Sequence, residues 1–231
     1  GSMELSERLR IAVVGTVHPH SGLYQELLHH MDEVEVTAIY DDGGSVIEAL
    51  DNIARYDSLK RLIEAAAFDA ALVTLPNDRR ALILELLAAG KHVLADKPVC
   101  RNAREMQEIV AAVHKAGVRF AVGYQNRFQP GHAYAKALLR DNKLGRIFAV
   151  QSHLFTTDVE ARDPNHFLFH RKVSGGGILH WLGCHMLDLM LDLIDDEVET
   201  VSGHVAKISD ADIDVEDVGS VSLRFRSGTI G

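Results

Sequence analysis

Alternating strand and helix patterns in the first half of the chain predict an α/β fold with a doubly wound parallel sheet. Two observations carry this prediction: a β-branched run that ends at Gly15, and short apolar segments that alternate with helical segments as far as Tyr124. In the second half, long alternating segments accompany one apolar helix, which predicts an α+β domain with an open, mostly antiparallel sheet. We therefore expect two domains, over residues 1–125 and 126–231.

The composition and net charge of the chain argue against some classes of binding partner. The 231 residues are 47% hydrophobic and 25% charged, as in globular proteins, and the formal charge of −9 argues against nucleic acid or an anionic membrane as partner. No apolar run has membrane-spanning length, and no signal-peptide pattern is visible. Cys100 and Cys184 define neither a disulfide framework nor a zinc site, so we expect a cytoplasmic protein. Gly1 and Ser2 look like a purification-tag remnant and are left out of the fold prediction.

The first strand leads into a loop that is typical of nucleotide-binding folds. Residues 10–15 form the strand, and a helix is predicted from 23 to 31. A Rossmann-type loop reads G-x-G-x-x-G, but here Val17 and His20 replace the second and third glycines. We expect Gly15, Thr16, His18 and His20 to line a cofactor loop. His18 and His20 also suggest a metal pair, but no acid or cysteine accompanies them at a telling spacing, so we predict no metal site.

An acidic residue closes the second strand, predicted over residues 34–40. Asp41 lies 26 residues after Gly15, where a ribose hydroxyl would be bound, although a surface turn explains the same residues equally well. No arginine follows closely to hold a 2′-phosphate, so NAD is preferred as the cofactor and NADP stays possible. Helices are predicted over residues 45–55 and 58–66.

The middle of the chain places a lysine at the end of a buried strand. A strand over residues 70–74 precedes a helix over 79–89, and the strand 92–95 ends at Asp96, Lys97 and Pro98. Pro98 favours an extended Lys97, which would project from the carboxyl edge of the sheet, where ligands bind. A lysine there can move a proton, whereas the plain alternative is a solvated surface lysine. A helix follows from the Asn102 cap to Gly117, and then a strand over residues 120–124.

Beyond Tyr124 the pattern changes. Helices are predicted over residues 132–140 and 179–194, and strands over 146–154, 201–208 and 220–225. Three glycines, 175–177, precede the second helix, which carries His180, His185 and Asp188. Polar residues that follow a strand end or crowd the loop before these glycines are candidates for substrate contact: Tyr124, Asn126, Arg127 and Arg171.

These motifs together resemble one family, the Gfo/Idh/MocA oxidoreductases, NAD(P)-dependent dehydrogenases acting mostly on sugars, polyols and related compounds. The resemblance runs over nearly the whole chain. It depends on four stretches in order: Thr74-Leu75-Pro76-Asn77, Asp96-Lys97-Pro98, residues 123–130 (GYQNRFQP), and Gly175-Gly176-Gly177 followed by residues 183–188 (GCHMLD).

The resemblance implies roles for particular residues. Lys97 corresponds to the lysine of the family's E-K-P motif, with Asp96 in place of glutamate, and His185 corresponds to the catalytic histidine. The family's usual aspartate four residues before that histidine is here Trp181. Three alternatives follow. Lys97 and His185 alone transfer the hydroxyl proton, or His180 also takes part, or dehydrogenation is impaired. Trp181 is about as consistent with a core role as with a pocket role. Remaining cofactor contacts are expected from Thr74, Pro76, Asn77, Asp96, Lys97 and Asn126.

The resemblance also implies a reaction and an oligomeric state. We expect hydride transfer between NAD(P) and a sugar, polyol or related alcohol or ketone, with Lys97 and His185 handling the proton. Alternatives are a non-catalytic dinucleotide- or sugar-binding relative and an NAD-assisted hydrolase or lyase. The chain is shorter than typical members, so we expect a C-terminally truncated product, and association into a dimer or tetramer is expected by resemblance.

Overall fold

The computed structural model describes residues 8–231, so the Gly1-Ser2 pair lies outside the described residues. Contacts divide the chain into two compact units, the first ending at Gly123 and the second covering Tyr124–Gly231. Each unit has its own hydrophobic clusters and its own sheet.

The first unit is built on six parallel strands. The elements, in chain order, are β1 Leu9–Val14, α1 Ser21–His29, β2 Val34–Tyr40, β3 Arg55–Tyr56, α2 Leu59–Ala65, β4 Ala70–Val73, α3 Arg80–Ala88, β5 His92–Ala95, α4 Ala103–Ala116 and β6 Phe120–Val122. The strand order is β3-β2-β1-β4-β5-β6, and every neighbouring pair is parallel. The chain therefore reverses its winding direction between β1 and β4, and the predicted doubly wound sheet is confirmed.

The helix caps that the sequence predicts are present in this unit. Asn102 caps α4 by accepting the Glu105 amide at 3.0 Å, and Gly117 ends the helix with a φ of +64°. Ser58 accepts the Arg61 amide at the start of α2. The core beneath these helices is made of small and aliphatic residues from the middle strands and of fully buried α3 leucines, Leu86 and Leu87.

The predicted helix over residues 45–55 is wrong. This segment contains one 3₁₀ turn, Glu48–Leu50, and then extends into β3. Ile47, Leu50 and Ile53 recur at helical spacing, but they pack as a loop against β1 and β2. The backbone is instead held at the sheet edge, because the Ile39 amide donates to the Ala54 carbonyl and the Asp41 amide donates to the Tyr56 carbonyl. Sheet pairing overrides the local pattern here.

The second unit combines short helices with an antiparallel ribbon. After a 3₁₀ turn at Gln125–Phe128, its elements are α5 Pro130–Arg140, α6 Asp158–Ala161, α7 Arg171–Ser174, α8 Cys184–Ile194, β7 Val198–Ala206 and β8 Val218–Phe225. A π-helical turn, Leu179–Gly183, leads into α8. β7 and β8 pair antiparallel, which confirms the predicted type of sheet.

The predicted strand over residues 146–154 is also wrong. Ala149 makes one isolated bridge to Ile230, and the rest of the segment has no regular structure. Val150 donates to the Ile230 carbonyl at 2.9 Å, and Ile230 donates to the Phe148 carbonyl at 3.1 Å. Alternation in a sequence indicates strand propensity, but a strand forms only where a partner supplies a ladder of hydrogen bonds.

One helical run, residues 171–194, has the length and apolar composition that a membrane span requires, although the sequence alone showed no such run. Composition of this kind is also found in core helices of globular proteins. Here Trp181 packs with Phe169, and Met190 packs with Phe225. These contacts cover part of the run, and 28% of its most apolar window is buried.

Candidate functional site

The predicted site residues fall into two groups, one in each unit. Most cofactor candidates lie where β1, β2, β4 and β5 of the first unit end, at the carboxyl edge of the sheet. The second unit carries His185 and the other candidates, which are Tyr124, Asn126, Arg127, Arg171, His180 and Trp181.

Gly15 ends β1 at a position that only glycine fits. Its φ is +105°, and an added Cβ would lie 2.8 Å from the Thr74 carbonyl oxygen and 2.7 Å from a Leu75 methyl carbon. The Thr74 hydroxyl donates to the Gly15 carbonyl at 2.7 Å. The ends of β1 and β4 are therefore locked together, and Thr74 acts on the loop through this bond.

The loop after β1 is held by an acid that the sequence analysis did not single out. Asp42 Oδ1 accepts hydrogen bonds from the Thr16 amide at 2.6 Å, the Thr16 hydroxyl at 2.7 Å and the Val17 amide at 3.1 Å. Gly44 packs so closely on this loop that a Cβ there would lie 2.1 Å from the Thr16 carbonyl carbon. A carboxylate thus substitutes for the missing glycines in ordering the loop.

Asp41, the predicted ribose acid, lines a cavity of about 410 Å³ at the ends of β2 and β3. Arg55 and Arg61 line the same cavity, and Arg55 Nη1 lies 3.6 Å from Asp41 Oδ2. The expectation that no arginine stands near Asp41 is wrong, because β3 brings Arg55 beside β2 from fourteen residues further along the chain. Two cations and two acids, the second being Asp57, therefore share this cavity.

Asp96 gathers three side chains around a fully buried carboxylate. His20 Nδ1 lies 2.9 Å and His18 Nδ1 lies 3.4 Å from Asp96 Oδ2, and the Tyr24 hydroxyl donates to Oδ1 at 3.1 Å. Burial opposes ionisation of Asp96, but the hydrogen bond from His20 and the nearby positive groups outweigh it and lower the carboxyl pKa. Burial, together with Asp96, raises the pKa of Tyr24.

His18 is a buried histidine inside this cluster. Burial is the main cause that lowers its pKa from 6.5 to about 3, so the imidazole is neutral at pH 7. Its Nδ1 accepts the His20 amide at 3.2 Å. The sequence argument against metal considered acids at a telling spacing from the two histidines, whereas Asp96, which follows β5, joins them in space from a distant part of the chain. The ligand atoms of His18, His20 and Asp96 lie within 4.8 Å of one another.

Lys97 follows Asp96 and is 6% exposed. The predicted alternative of a solvated surface lysine is therefore wrong. Beside it lies Arg79, which the sequence analysis treated as an ordinary helix residue and which is 3% exposed. Burial lowers the pKa of Arg79 to about 10, so its guanidinium stays charged at pH 7. Pro76 is half-buried and Asn77 is fully buried in the loop after β4.

His185 lies in the first turn of α8 and is 6% exposed. The ring of Tyr124 meets it edge to face, with 6.2 Å between the ring centroids. Three residues on, Asp188 accepts the Arg127 Nε at 2.8 Å and forms a bidentate ion pair with that guanidinium. The hydrogen bond to Asp188 raises the pKa of Arg127. Helical spacing thus brings His185 and Asp188 to neighbouring positions.

A second acid on α8 extends this ion pair. Asp192 accepts from Arg127 at 3.2 Å, from His132 at 2.8 Å and from Lys136 at 2.6 Å. Burial opposes its ionisation, but the hydrogen bonds from Lys136 and His132 lower its pKa overall. Asp188 and Asp192 lie four residues apart, a spacing that could have indicated their shared face in the sequence.

The other substrate candidates have structural partners. Trp181 is 4% exposed and packs edge to face on Phe169, as a core residue does. Arg171 donates its amide to Asp214 at 2.6 Å and its guanidinium to Glu216 at 3.3 Å. His180 is half-buried in the π-helical turn, and Asn126 lies in the 3₁₀ turn after Tyr124.

The second unit also contains a larger cavity, of about 660 Å³, which is lined by other residues. Its walls are residues 149–156, β8 and the apolar side of α8, including Met186 and Met190. None of the predicted site residues lines it.

Comparison with known proteins gives one family match for each half of the chain. Residues 9–124 match the oxidoreductase family with an NAD-binding Rossmann fold, and residues 132–231 match the GFO/IDH/MocA C-terminal domain. Among solved structures, the WlbA dehydrogenase from Bordetella pertussis, in complex with NADH and UDP-GlcNAcA, is 26% identical with a TM-score of 0.87. The match covers 97% of this chain and 69% of that one. Aldose-aldose oxidoreductase from Caulobacter crescentus is also 26% identical, with a TM-score of 0.83 and the same coverage.

Curated relatives include both dehydrogenases and hydratases. Myo-inositol 2-dehydrogenase from Thermotoga maritima is 28% identical over 233 residues, covering 96% of this chain and 67% of the relative. The 2,7-anhydro-N-acetylneuraminate hydratase of Escherichia coli (strain K12) is 26% identical over 231 residues, covering 96% of this chain. This chain spans 60% of the hydratase's length. The two family matches follow one another along almost the whole chain, and the chain therefore belongs to the Gfo/Idh/MocA oxidoreductases.

Proposed function

We propose that the protein is an NAD-dependent oxidoreductase that interconverts an alcohol of a sugar, polyol or related compound and its ketone. The observation that carries the proposal is the buried Lys97 at the carboxyl end of β5, in a parallel sheet whose winding reverses between β1 and β4. Ligands of open α/β sheets bind at this edge, beside the reversal point.

The first unit fits a dinucleotide in two respects. Gly15 turns the chain at the end of β1 with a φ of +105°, and α1 begins soon after it without a side-chain cap from His20. Asp41 lines a cavity large enough for a ribose. We assign the cofactor to Gly15, Thr16, His18, His20, Asp41, Thr74, Pro76, Asn77, Asp96, Lys97 and Asn126. When bound, NAD supplies the hydride acceptor or donor.

In this proposal the protein's own residues handle the proton. Lys97 receives the hydroxyl proton during oxidation and returns it during reduction, and His185 orients the hydroxyl or exchanges that proton. Burial opposes ionisation of Asp96 beside Lys97, but the hydrogen bond from His20 and the nearby charges lower the carboxyl pKa and favour the carboxylate. Tyr124, which contacts the His185 ring, is the substrate candidate that we retain from the second unit.

We assign structural roles to two other residues that were candidates for substrate contact. Arg127 holds Asp188 on the same helix as His185, and we expect it to fix α8. Trp181 is buried in a hydrophobic cluster, and we assign the proposed proton system to Lys97 and His185.

A direct test is calorimetric titration with NAD and with NADP, followed by turnover assays on sugars and polyols. We expect NAD binding that is lost in Asp41→Ala and weakened but still measurable in Lys97→Ala, whereas turnover is lost in Lys97→Ala. Lys115→Ala, an exposed lysine of α4, serves as the matched control and should leave both unchanged. Turnover that survives Lys97→Ala would refute the assignment of the proton to this lysine.

A second candidate is a hydratase, hydrolase or lyase that uses NAD transiently, which the similarity to the anhydro-sugar hydratase favours. Such an enzyme would convert substrate without net change in NADH absorbance at 340 nm, whereas a dehydrogenase changes it in proportion to product. NAD binding without any turnover would instead indicate a non-catalytic binding relative.

We also propose a cytoplasmic location and a homo-oligomer. The sequence has two cysteines, a low number that is consistent with a reducing compartment. Val201, Val205 and Val218 expose apolar side chains on the antiparallel ribbon, where a second copy could pack. Light scattering at two protein concentrations tests the association, and a monomer at both would refute it.

A further inference from the structure

Arg79 is a buried arginine whose guanidinium contacts main-chain carbonyl groups at two strand ends. Nε donates to the Val99 carbonyl at 3.0 Å, and Nη1 donates to the Leu75 carbonyl at 2.5 Å. Nη2 donates to the carbonyls of Asp96 and Pro98. One side chain therefore connects the loop after β4 with the loop after β5.

These acceptors surround Lys97. The carbonyl of Asp96 directly precedes Lys97 and the carbonyl of Pro98 lies one residue beyond it, so the same Nη2 group binds both sides of the lysine. A guanidinium carries its donors in a rigid planar fork and has no acceptor. Because the fork is rigid and fully enclosed, it fixes where the peptide groups on either side of Lys97 lie.

A hydrophobic side chain could fill the same volume, but it would leave several buried carbonyls without donors, which is unfavourable. A lysine could satisfy some of them, but its ammonium is a compact group that cannot reach carbonyls on two loops at fixed angles. The arrangement thus requires an arginine for geometry as well as for stability.

We propose that Arg79 is a positioning residue for Lys97: its guanidinium holds the backbone on both sides of the lysine and thereby sets the direction of the ε-amino group. The inference rests on the proposed function, in which Lys97 moves the proton. It adds a residue that contacts neither substrate nor cofactor and that acts through the main chain. A displacement of a reacting group by about 1 Å can lower a rate about 100-fold, so loss of this restraint should affect turnover more than cofactor binding.

The test compares Arg79→Lys and Arg79→Met with Arg80→Met. Arg80 is the matched control, because it neighbours Arg79 but pairs with Glu108 at the surface. The first readout is independent of activity: the ¹³Cε signal of Lys97 in protein with labelled lysine, assigned with Lys97→Arg. We expect this signal to move in both Arg79 variants and to stay in place in Arg80→Met.

The second readout is kinetic. With NAD and myo-inositol as probes, we expect kcat to fall about 30- to 100-fold in Arg79→Lys, while the Kd for NAD changes less than about threefold. An unmoved Lys97 signal in folded Arg79→Lys would overturn the proposal. So would parallel losses of NAD affinity, kcat and melting temperature, which indicate a purely structural role. If Lys97→Ala keeps its turnover, the proposed function fails, and the Lys97 signal still decides whether Arg79 positions the lysine.

Discussion

The buried His18 predicts how stability depends on pH. The side chain is 7% exposed, and burial lowers its pKa from 6.5 to about 3. Asp96 acts in the opposite direction, whereas the positive charges of Arg79, His20 and Lys97 add to the effect of burial. The folded protein therefore keeps His18 neutral at pH values where the unfolded chain protonates it.

The sign and size of the effect follow from proton linkage. Between pH 6.5 and about 3 the unfolded state binds a proton that the native state does not, so the free energy of unfolding falls as the pH is lowered. The contribution of His18 is complete above pH 6.5 and decreases by about 1.4 kcal/mol for each unit below it. From pH 6.5 to pH 4.5 the loss should be about 3 kcal/mol. Asp96, whose lowered pKa also gives a loss on acidification, contributes mainly at still lower pH.

Urea unfolding of the wild type, His18→Gln and His29→Gln at four pH values from 4.5 to 7.5 measures this contribution. His29 is an exposed histidine of α1 and serves as the control. We expect His18→Gln to be less stable at pH 7.5 and to lose much less stability by pH 4.5 than the other two proteins. In parallel, the His18 ring signal in NMR should not titrate between pH 7.5 and 4.5. A His18 signal that titrates near pH 6.5 would refute the reasoning.

Three further predictions concern other parts of the molecule. We expect Arg55, which lines the cavity of Asp41, to contact the 2′-phosphate of any NADP that binds. In Arg55→Ala, calorimetry should then show NADP binding weakened about tenfold more than NAD binding, and equal changes would contradict this contact. Gly15→Ala forces a Cβ into the Thr74 carbonyl, and urea unfolding should show a loss of about 2–3 kcal/mol. Asp192→Asn weakens an ion-pair cluster in the second unit and should lower the melting temperature, whereas Asp141→Asn, at an exposed pair, should not.

The first unit could be predicted well because its signals are local. Strands that are covered on both faces read as short apolar runs, and the caps at Asn102 and Gly117 mark helix ends through bonds within a few residues. Lys97 could be predicted as a site residue for the same reason. A strand that is followed by a charged pair and a proline predicts a side chain at the edge of the sheet.

The two incorrect elements depended on neighbours that a local pattern does not contain. Residues 45–55 have helical spacing, but Arg55 and Tyr56 pair with the end of β2. Residues 146–154 alternate as a strand does, but they meet a partner at Ala149 alone among the described bridges of this segment. In both cases tertiary hydrogen bonding, and not propensity, decides the structure.

Contacts between distant parts of the chain were missed in the site as well. Asp96 lies 76 residues after His20, and Asp188 lies 61 residues after Arg127, so neither pair has a sequence spacing that indicates it. A buried arginine such as Arg79 has no sequence signature, because a helix start with two arginines normally exposes both. Only the fold determines which of the two turns inward.

The loop after β1 shows how the chain departs from the glycine-rich pattern without losing order. A carboxylate from the end of β2, Asp42, binds the start of this loop, and a carboxylate from the end of β5, Asp96, binds its histidines. Glycines allow such a loop to fold closely by backbone freedom, whereas here side chains from two neighbouring strand ends hold it in place. The position of the loop consequently depends on charge. Protonation of the Asp96 carboxylate would weaken its contact with His20 and loosen the loop together with the strand end that carries Lys97, so cofactor binding and proton transfer should weaken over the same acidic range of pH.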